Sequence, residues 1–242
     1  MPPVRRGGIY VFAEGSEETA GVLVLTNDRW NEAFDDVGIV PVRVPIGEPL
    51  AATPLISRHP PLCAVAGYPV AVERVALGDE IALADAEGLA AVEDVLCHVL
   101  RLAELLGPRP APPLASTSAK CPRWSEIYRI HGMVIGGEAK RYVVVSENRW
   151  NEASETAVVV RTTTSMRRHG PEFPLIQEGV AKAACAEATT FRWEDFILDP
   201  RQLPRPRLLN LADMQQVARG IVETHALRGA VRRALGPDAP AF

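Results

Sequence analysis

The pentapeptide Arg-Trp-Asn-Glu-Ala occurs twice in this chain, at 29–33 and again at 149–153. A repeat on that scale constrains the fold more than any bulk property, because it reads the chain as two diverged copies of one small domain. Other landmarks keep nearly the same offset. Ile9-Tyr10 matches Ile127-Tyr128, the apolar run Val22–Leu25 matches Tyr142–Val145, Pro54-Leu55-Ile56 matches Pro174-Leu175-Ile176, and Cys63-Ala64 matches Cys185-Ala186. A single short match can arise by chance; an ordered series does not. The 242 residues suffice for two small domains, each with a modest core.

Each copy reads as several short strands followed by a helix. In the first, Val4–Phe12, Gly21–Leu25, Val37–Val44, Cys63–Val75 and Glu80–Ala84 are strand candidates, punctuated by Gly, Pro, Asn and Asp. Leu89, Val92, Leu96, Val99 and Leu102 then recur at helical spacing, which predicts a helix over Glu87–Leu106. The second copy repeats this over Leu211–Leu227, with Met214, Val217, Ile221 and Val222 on the apolar stripe. Asp85 and Asn210 are suitable N-caps. Short strands curling into a small barrel with one helix across it would bury what each copy has to bury. The repeated pentapeptide is expected in a loop, its Trp anchored by burial and its Asn making a local turn bond; base stacking by Trp30 and Trp150 is the functional alternative.

The expected domains are an acidic first copy at 1–107, a Pro-rich connector at 108–122, a basic second copy at 123–236, and a tail at 237–242. Four prolines within Gly107–Pro113 preclude helix or central strand there. Residues 1–107 hold 7 Arg and no Lys against 16 Asp and Glu, whereas the remainder holds 19 Lys and Arg against 14 Asp and Glu. Only the second copy therefore has the electrostatics to attract a polyanion, unless the two opposite charges serve to hold the copies together. Cys63, Cys97, Cys121 and Cys185 form no CxxC pair and no metal-like spacing with the histidines, so buried reduced thiols are expected, with no metal and no cofactor. No apolar run reaches the length of a membrane span and no signal-like segment opens the chain, so a cytoplasmic protein without a membrane partner is expected.

The second copy resembles the MazF/PemK/Kid toxins of bacterial toxin–antitoxin systems. The resemblance runs through Ile127-Tyr128, then Gly136-Gly137-Glu138, then Arg141-Tyr142-Val143-Val144-Val145-Ser146-Glu147-Asn148, then Val158-Val159-Val160-Arg161-Thr162-Thr163-Thr164-Ser165. The first copy resembles the family at Gly15-Ser16-Glu17-Glu18, but its arginine position falls near Ala20 and its threonine position on Arg43. Where many family members carry a polar pair after the cysteine-like position, this chain has Ala186-Glu187. The resemblance implies a mainly β fold with helices: two SH3-like barrels of the MazF/PemK/CcdB type in tandem, each closed by a C-terminal helix. Family members pair as dimers, and a tandem fusion can build that pair inside one chain as a pseudo-dimer; pairing with a second chain is the other arrangement.

The family activity so implied is metal-independent cleavage of single-stranded RNA. Such cleavage needs a base for the 2′-hydroxyl, donors for the phosphorane oxygens and an acid for the leaving 5′-oxygen. By resemblance, Arg141 would hold the developing charge through its planar fork and could donate the proton to the leaving oxygen, Thr164 and Ser165 would add neutral donors, and Glu138 would be the base. His131 and His169 are alternative proton carriers. Lys140, Arg149, Arg161, Arg167, Arg168 and His169 would supply the RNA-binding surface. Each also has a plainer reading as a solvated charge, a turn hydroxyl or a surface histidine. Two functions follow: an endoribonuclease with its single surviving site in the second copy, or an inactive module that binds an antitoxin or, as in the related CcdB group, a gyrase-like target.

Overall fold

The computed structural model describes residues 3–13, 19–48, 52–113, 115, 118, 120–135, 138–163, 172–177, 180–198 and 206–236. The chain is mainly β with helices, and its described residues form two antiparallel seven-stranded sheets. They divide between two compact units. One takes Met1–His98 together with Val222–Pro240, and the other takes Val99–Ile221.

The first unit contains β1 (Gly8–Phe12), β2 (Gly21–Val24), β3 (Asp36–Arg43), β4 (Leu55–Arg58), β5 (Pro61–Ala64), β6 (Val70–Glu73) and β7 (Leu77–Leu83), in the order β4-β5-β3-β2-β1-β7 with β6 also on β3. Tyr10, Val22, Val24, Val37, Ile39 and Leu77 pack on one face of the sheet. They come from alternate positions of neighbouring strands, as a half-buried pleated surface requires. The strand expected over Cys63–Val75 is divided in two, because the chain turns away at Val65–Pro69 before returning to β3 as β6.

The second unit holds β8 (Glu126–Ile135), β9 (Glu138–Val144), β10 (Thr156–Thr163), β11 (Glu172–Gln177), β12 (Val180–Arg192), β13 (Phe196–Ile197) and β14 (Arg207–Leu208). Their order is β11-β12-β10-β9-β8-β13, with β14 also on β8. Ile130, Tyr142, Val144, Ala157 and Val159 form its inner cluster, backed by Tyr128, Met133, Phe191 and Phe196.

The pentapeptide is not a loop in either unit. It forms α1 (Asp28–Ala33) and α4 (Asn148–Ser154). A side-chain acceptor three residues before each Trp, Asn27 in one and Glu147 in the other, caps the Trp30 or Trp150 amide and lets the helical turn start. Trp30 is buried and its indole N–H donates to the Asp36 carbonyl at 2.9 Å. Asn31 and Asn151 are buried and accept from the Thr26 and Ser146 hydroxyls, both at 2.5 Å.

The helix predicted over 87–106 is two helices, α2 (Ala86–Val99) and α3 (Leu102–Leu106), because Arg101 turns left-handed at φ 52°. Ala226, also at φ 52°, separates α5 (Leu211–Thr224) from α6 (Arg228–Leu235) in the same way. Asp85 and Asn210 cap α2 and α5 as expected, accepting from the Gly88 and Asp213 amides. In the second unit the Glu147 amide donates to the Val99 carbonyl at 2.8 Å, and the Gln215 amide group donates to the Leu105 carbonyl at 3.0 Å. In the first unit Arg233 of α6 pairs with Glu93 and Asp94 of α2 at 3.1 and 2.8 Å, and Arg6 reaches Glu93 at 2.6 Å.

Cys63, Cys97 and Cys121 are buried and outside any disulfide, and burial pushes the Cys63 thiol up. Among the described residues no helix is long and apolar enough to cross a membrane.

Candidate active site

Strands β8, β9 and β10 fix where the second unit carries its charge. Tyr142 and Val144 point to the inner cluster, so by alternation Arg141 and Val143 point to the other face. The register places Arg141 directly opposite Arg129 on β8 and opposite Thr162 on β10. The Thr162 hydroxyl donates to the Arg141 carbonyl at 3.1 Å, which pins the two strands at this step. Farther along the same face Val143, Val158 and Val160 are fully buried. The two half-buried arginines thus follow a fully buried apolar stretch on the same face.

Two like charges directly opposed on antiparallel strands repel. Planar guanidinium forks on such neighbouring positions match the non-bridging oxygens of a phosphate. Arg129 was not among the residues singled out from sequence. Its signal is the register: once Tyr128 is paired with Tyr142, Arg129 must face Arg141.

The other expected site residues are distributed as follows. Lys140 and Arg161 are half-buried and alternate onto the Tyr142 face, opposite to Arg141; Arg161 pairs with Tyr142 itself. Arg149 is exposed on α4. His131 is exposed where the β8–β9 pairing is irregular, between Arg129 and Val134. Glu138 is described in its backbone alone, opposite Ile135. Thr164, Ser165, Arg167, Arg168 and His169 lie outside the described residues, as do the side chains of Cys185 and Glu187. Among the described residues no group of three or more His, Cys, Asp or Glu could hold a metal ion.

The first unit carries the same pairing with different residues. Gly21 sits opposite Val42, as Arg141 sits opposite Thr162. Val11 follows Tyr10 as Arg129 follows Tyr128, and it is 47% exposed. The Ile81 side chain lies over Gly21, and a Cβ there would come within 2.7 Å of the Tyr10 carbonyl oxygen. Ile81 and backbone therefore fill the space that a side chain at position 21 would need.

The two units also differ along β1 and β8. In the first, β7 pairs with β1 from Phe12/Leu77 to Gly8/Leu83 and sets Glu80 opposite Tyr10. Glu80 accepts from the Tyr10 hydroxyl at 3.1 Å and from the Arg5 guanidinium at 2.5 and 3.0 Å; the hydrogen bond from Arg5 holds its carboxyl below the ordinary value. In the second, the edge is shared by β13, opposite Arg129 and Ile130, and β14, opposite Glu126 and Ile127. No described residue pairs with Tyr128 on that side, and a cleft of about 660 Å³ opens there. Burial, then the hydrogen bond to Glu126, pushes the Tyr128 phenol far above its ordinary value.

No protein family model matches the chain, and neither does any curated protein. Among solved structures it is similar to an endoribonuclease in complex with its cognate antitoxin from mycobacterial species, at 19% identity over 48% of this chain and 97% of that one, with a TM-score of 0.31. It is similar to the Mycobacterium tuberculosis toxin MazF-mt6 at 16% identity over 37% and 92%, with a TM-score of 0.30. It is similar also to a MazE-MazF crystal structure from Deinococcus radiodurans at 15% identity over 48% and 96%, with a TM-score of 0.31.

Proposed function

We propose that this chain is a toxin-type, metal-independent endoribonuclease that cuts single-stranded RNA at a single site in its second unit. The observation that carries the reading is the juxtaposition of Arg141, Arg129 and the hydroxyl-bearing end of β10 on one sheet face. The ordered sequence resemblance around Arg141 supports it as well. In the reaction the 2′-oxygen attacks the adjacent phosphorus as its proton passes to a base, for which Glu138 is the candidate. The bond to the 5′-oxygen breaks as that oxygen takes a proton from the acid, for which Arg141 is the candidate and His131 and His169 the alternatives, leaving a 2′,3′-cyclic phosphate and a 5′-hydroxyl. Arg141 and Arg129 stabilise the extra negative charge on the phosphorane oxygens. The Thr162 hydroxyl already serves the backbone, so Thr164 and Ser165 are the proposed neutral donors.

The first unit is proposed as a diverged copy that keeps the scaffold and has lost the site. Shared strand order, matching left-handed residues at Arg101 and Ala226, and Gly21 and Val42 in place of Arg141 and Thr162 support this. The proposed protein partner is an antitoxin. The test is incubation of the purified chain with mixed RNA in a chelator, followed by analysis of fragment ends. Cyclic-phosphate ends that vanish with Arg141→Ala are expected. Intact RNA with binding retained would favour an interaction module that no longer cuts.

A further inference from the structure

The cleft beside Tyr128 combines three kinds of group. Its depth holds Glu126, only 8% exposed, whose carboxylate accepts from the Tyr128 hydroxyl at 2.6 Å and from the Arg123 amide at 2.7 Å. Both bonds fall on Oε2, so among the described residues Oε1 is left uncommitted. Its walls are aromatic: Tyr128 and Phe196 meet edge to face at 5.3 Å, and Trp193 lines the same space. The Trp193 indole N–H is buried with no partner among the described residues. At the rim Lys120 and Arg123 are exposed.

We infer that this cleft is a base-recognition subsite: it takes one nucleobase of a single-stranded RNA, with the attached phosphate at Lys120 and Arg123. The inference rests on the proposed function and names where that enzyme would read its substrate. A carboxylate in an aromatic box by itself suits a cationic side chain. Two exposed cations at the mouth oppose such a ligand and favour one that brings its own negative charge. Stacking surfaces serve any base. A carboxylate oxygen with free lone pairs selects a base that offers an exocyclic amino group, hence adenine, cytosine or guanine over uracil. The unpartnered indole N–H supplies the complementary donor, for the ring nitrogen beside that amino group. A volume of about 660 Å³ has room for the base and its sugar.

The test is titration of the full chain with the four nucleoside 5′-monophosphates by calorimetry, with the Trp193 and Tyr128 side-chain signals followed by NMR. AMP, CMP and GMP should bind about tenfold more tightly than UMP. Glu126→Gln should remove that difference, and Arg123→Ala combined with Lys120→Ala should reduce nucleotide affinity to that of the free nucleoside. Trp193→Phe keeps the ring and the fold, and should weaken binding by about threefold to tenfold. Equal affinity for all four nucleotides, binding untouched by these substitutions, or preference for an arginine-rich peptide would each overturn the subsite. Because the measurement reads binding and not cleavage, a chain that binds nucleotides but leaves RNA intact would sink the endoribonuclease reading and spare the cleft.

Discussion

The backbone N–H of Asn27 donates to the carbonyl of Thr224 at 2.9 Å, joining the cap of α1 to the end of α5 within one unit. The Asn27 side-chain amide adds bonds to the Glu223 and Thr224 carbonyls at 2.6 and 3.2 Å. The buried residues that follow, His225, Leu227, Ala230 and Val231, belong to the same unit, and His225 lies against Gly38 of β3. The first sheet thus depends on residues nearly two hundred positions away. Leu227→Ala should cost roughly 2–5 kcal/mol, as loss of a fully buried leucine does. Hydrogen exchange is the measurement: amides of β1–β3 should lose protection before those of β8–β10.

The paired arginines give a second prediction. Arg129→Ala should reduce RNA cleavage by on the order of a hundredfold or more, as removal of one transition-state donor does, and Arg141→Ala should abolish it. Arg43→Ala, in the first unit, should leave most activity. Single-turnover assays under identical salt would decide; equal losses at Arg43 and Arg141 would contradict a single site.

Glu80 supplies a pH prediction. Its carboxyl lies below the ordinary value of 4.5 because Arg5 bonds to it, so the pairing stabilises the folded state fully above that value and fades as pH falls through the lowered one. Melting temperatures of the native chain and Glu80→Gln should therefore differ at neutral pH and converge in acid. A gap that persists to the most acid pH at which the chain stays folded would show that the pairing is not what Glu80 contributes.

Gly88 gives a prediction of opposite sign to helix propensity. Ala for Gly inside an exposed helix stabilises by up to about 1 kcal/mol. Here a Cβ would come within 2.6 Å of the Ile56 Cα and the Leu55 carbonyl oxygen, because the first turn of α2 lies against β4. Gly88→Ala should destabilise by about 1–3 kcal/mol, read from chemical denaturation.

The strands were legible where runs of β-branched residues lie between turn residues, as in Val37–Val44 and Val158–Thr163, and the caps were legible because Asp85 and Asn210 stand directly before an apolar stripe. The break in the predicted helix was not, since Arg101 gives no local signal for a left-handed turn and the stripe continues through Leu102 and Leu105. The cysteine match also misled. Cys63 pairs with Arg43, whereas the second sheet sets Ala183 opposite Thr163, and an irregularity in β12 displaces Cys185 from the matching register. Arg141 stands out as a candidate from the motif around it, whereas Arg129 becomes a candidate only through the strand across from it. The cleft beside Tyr128 depends on a strand edge shared by β13 and β14, which no short motif encodes.

The placement of α6 with the first sheet has a consequence for biosynthesis. The ribosome makes β1–β7 early, then the whole second sheet, and only afterwards the buried segment around Leu227 that the first unit includes. The earlier half of the chain must therefore wait, with an apolar surface uncovered, while the later half emerges and folds. A nascent chain stalled before position 222 would carry the residues of the proposed catalytic face on an otherwise incomplete protein.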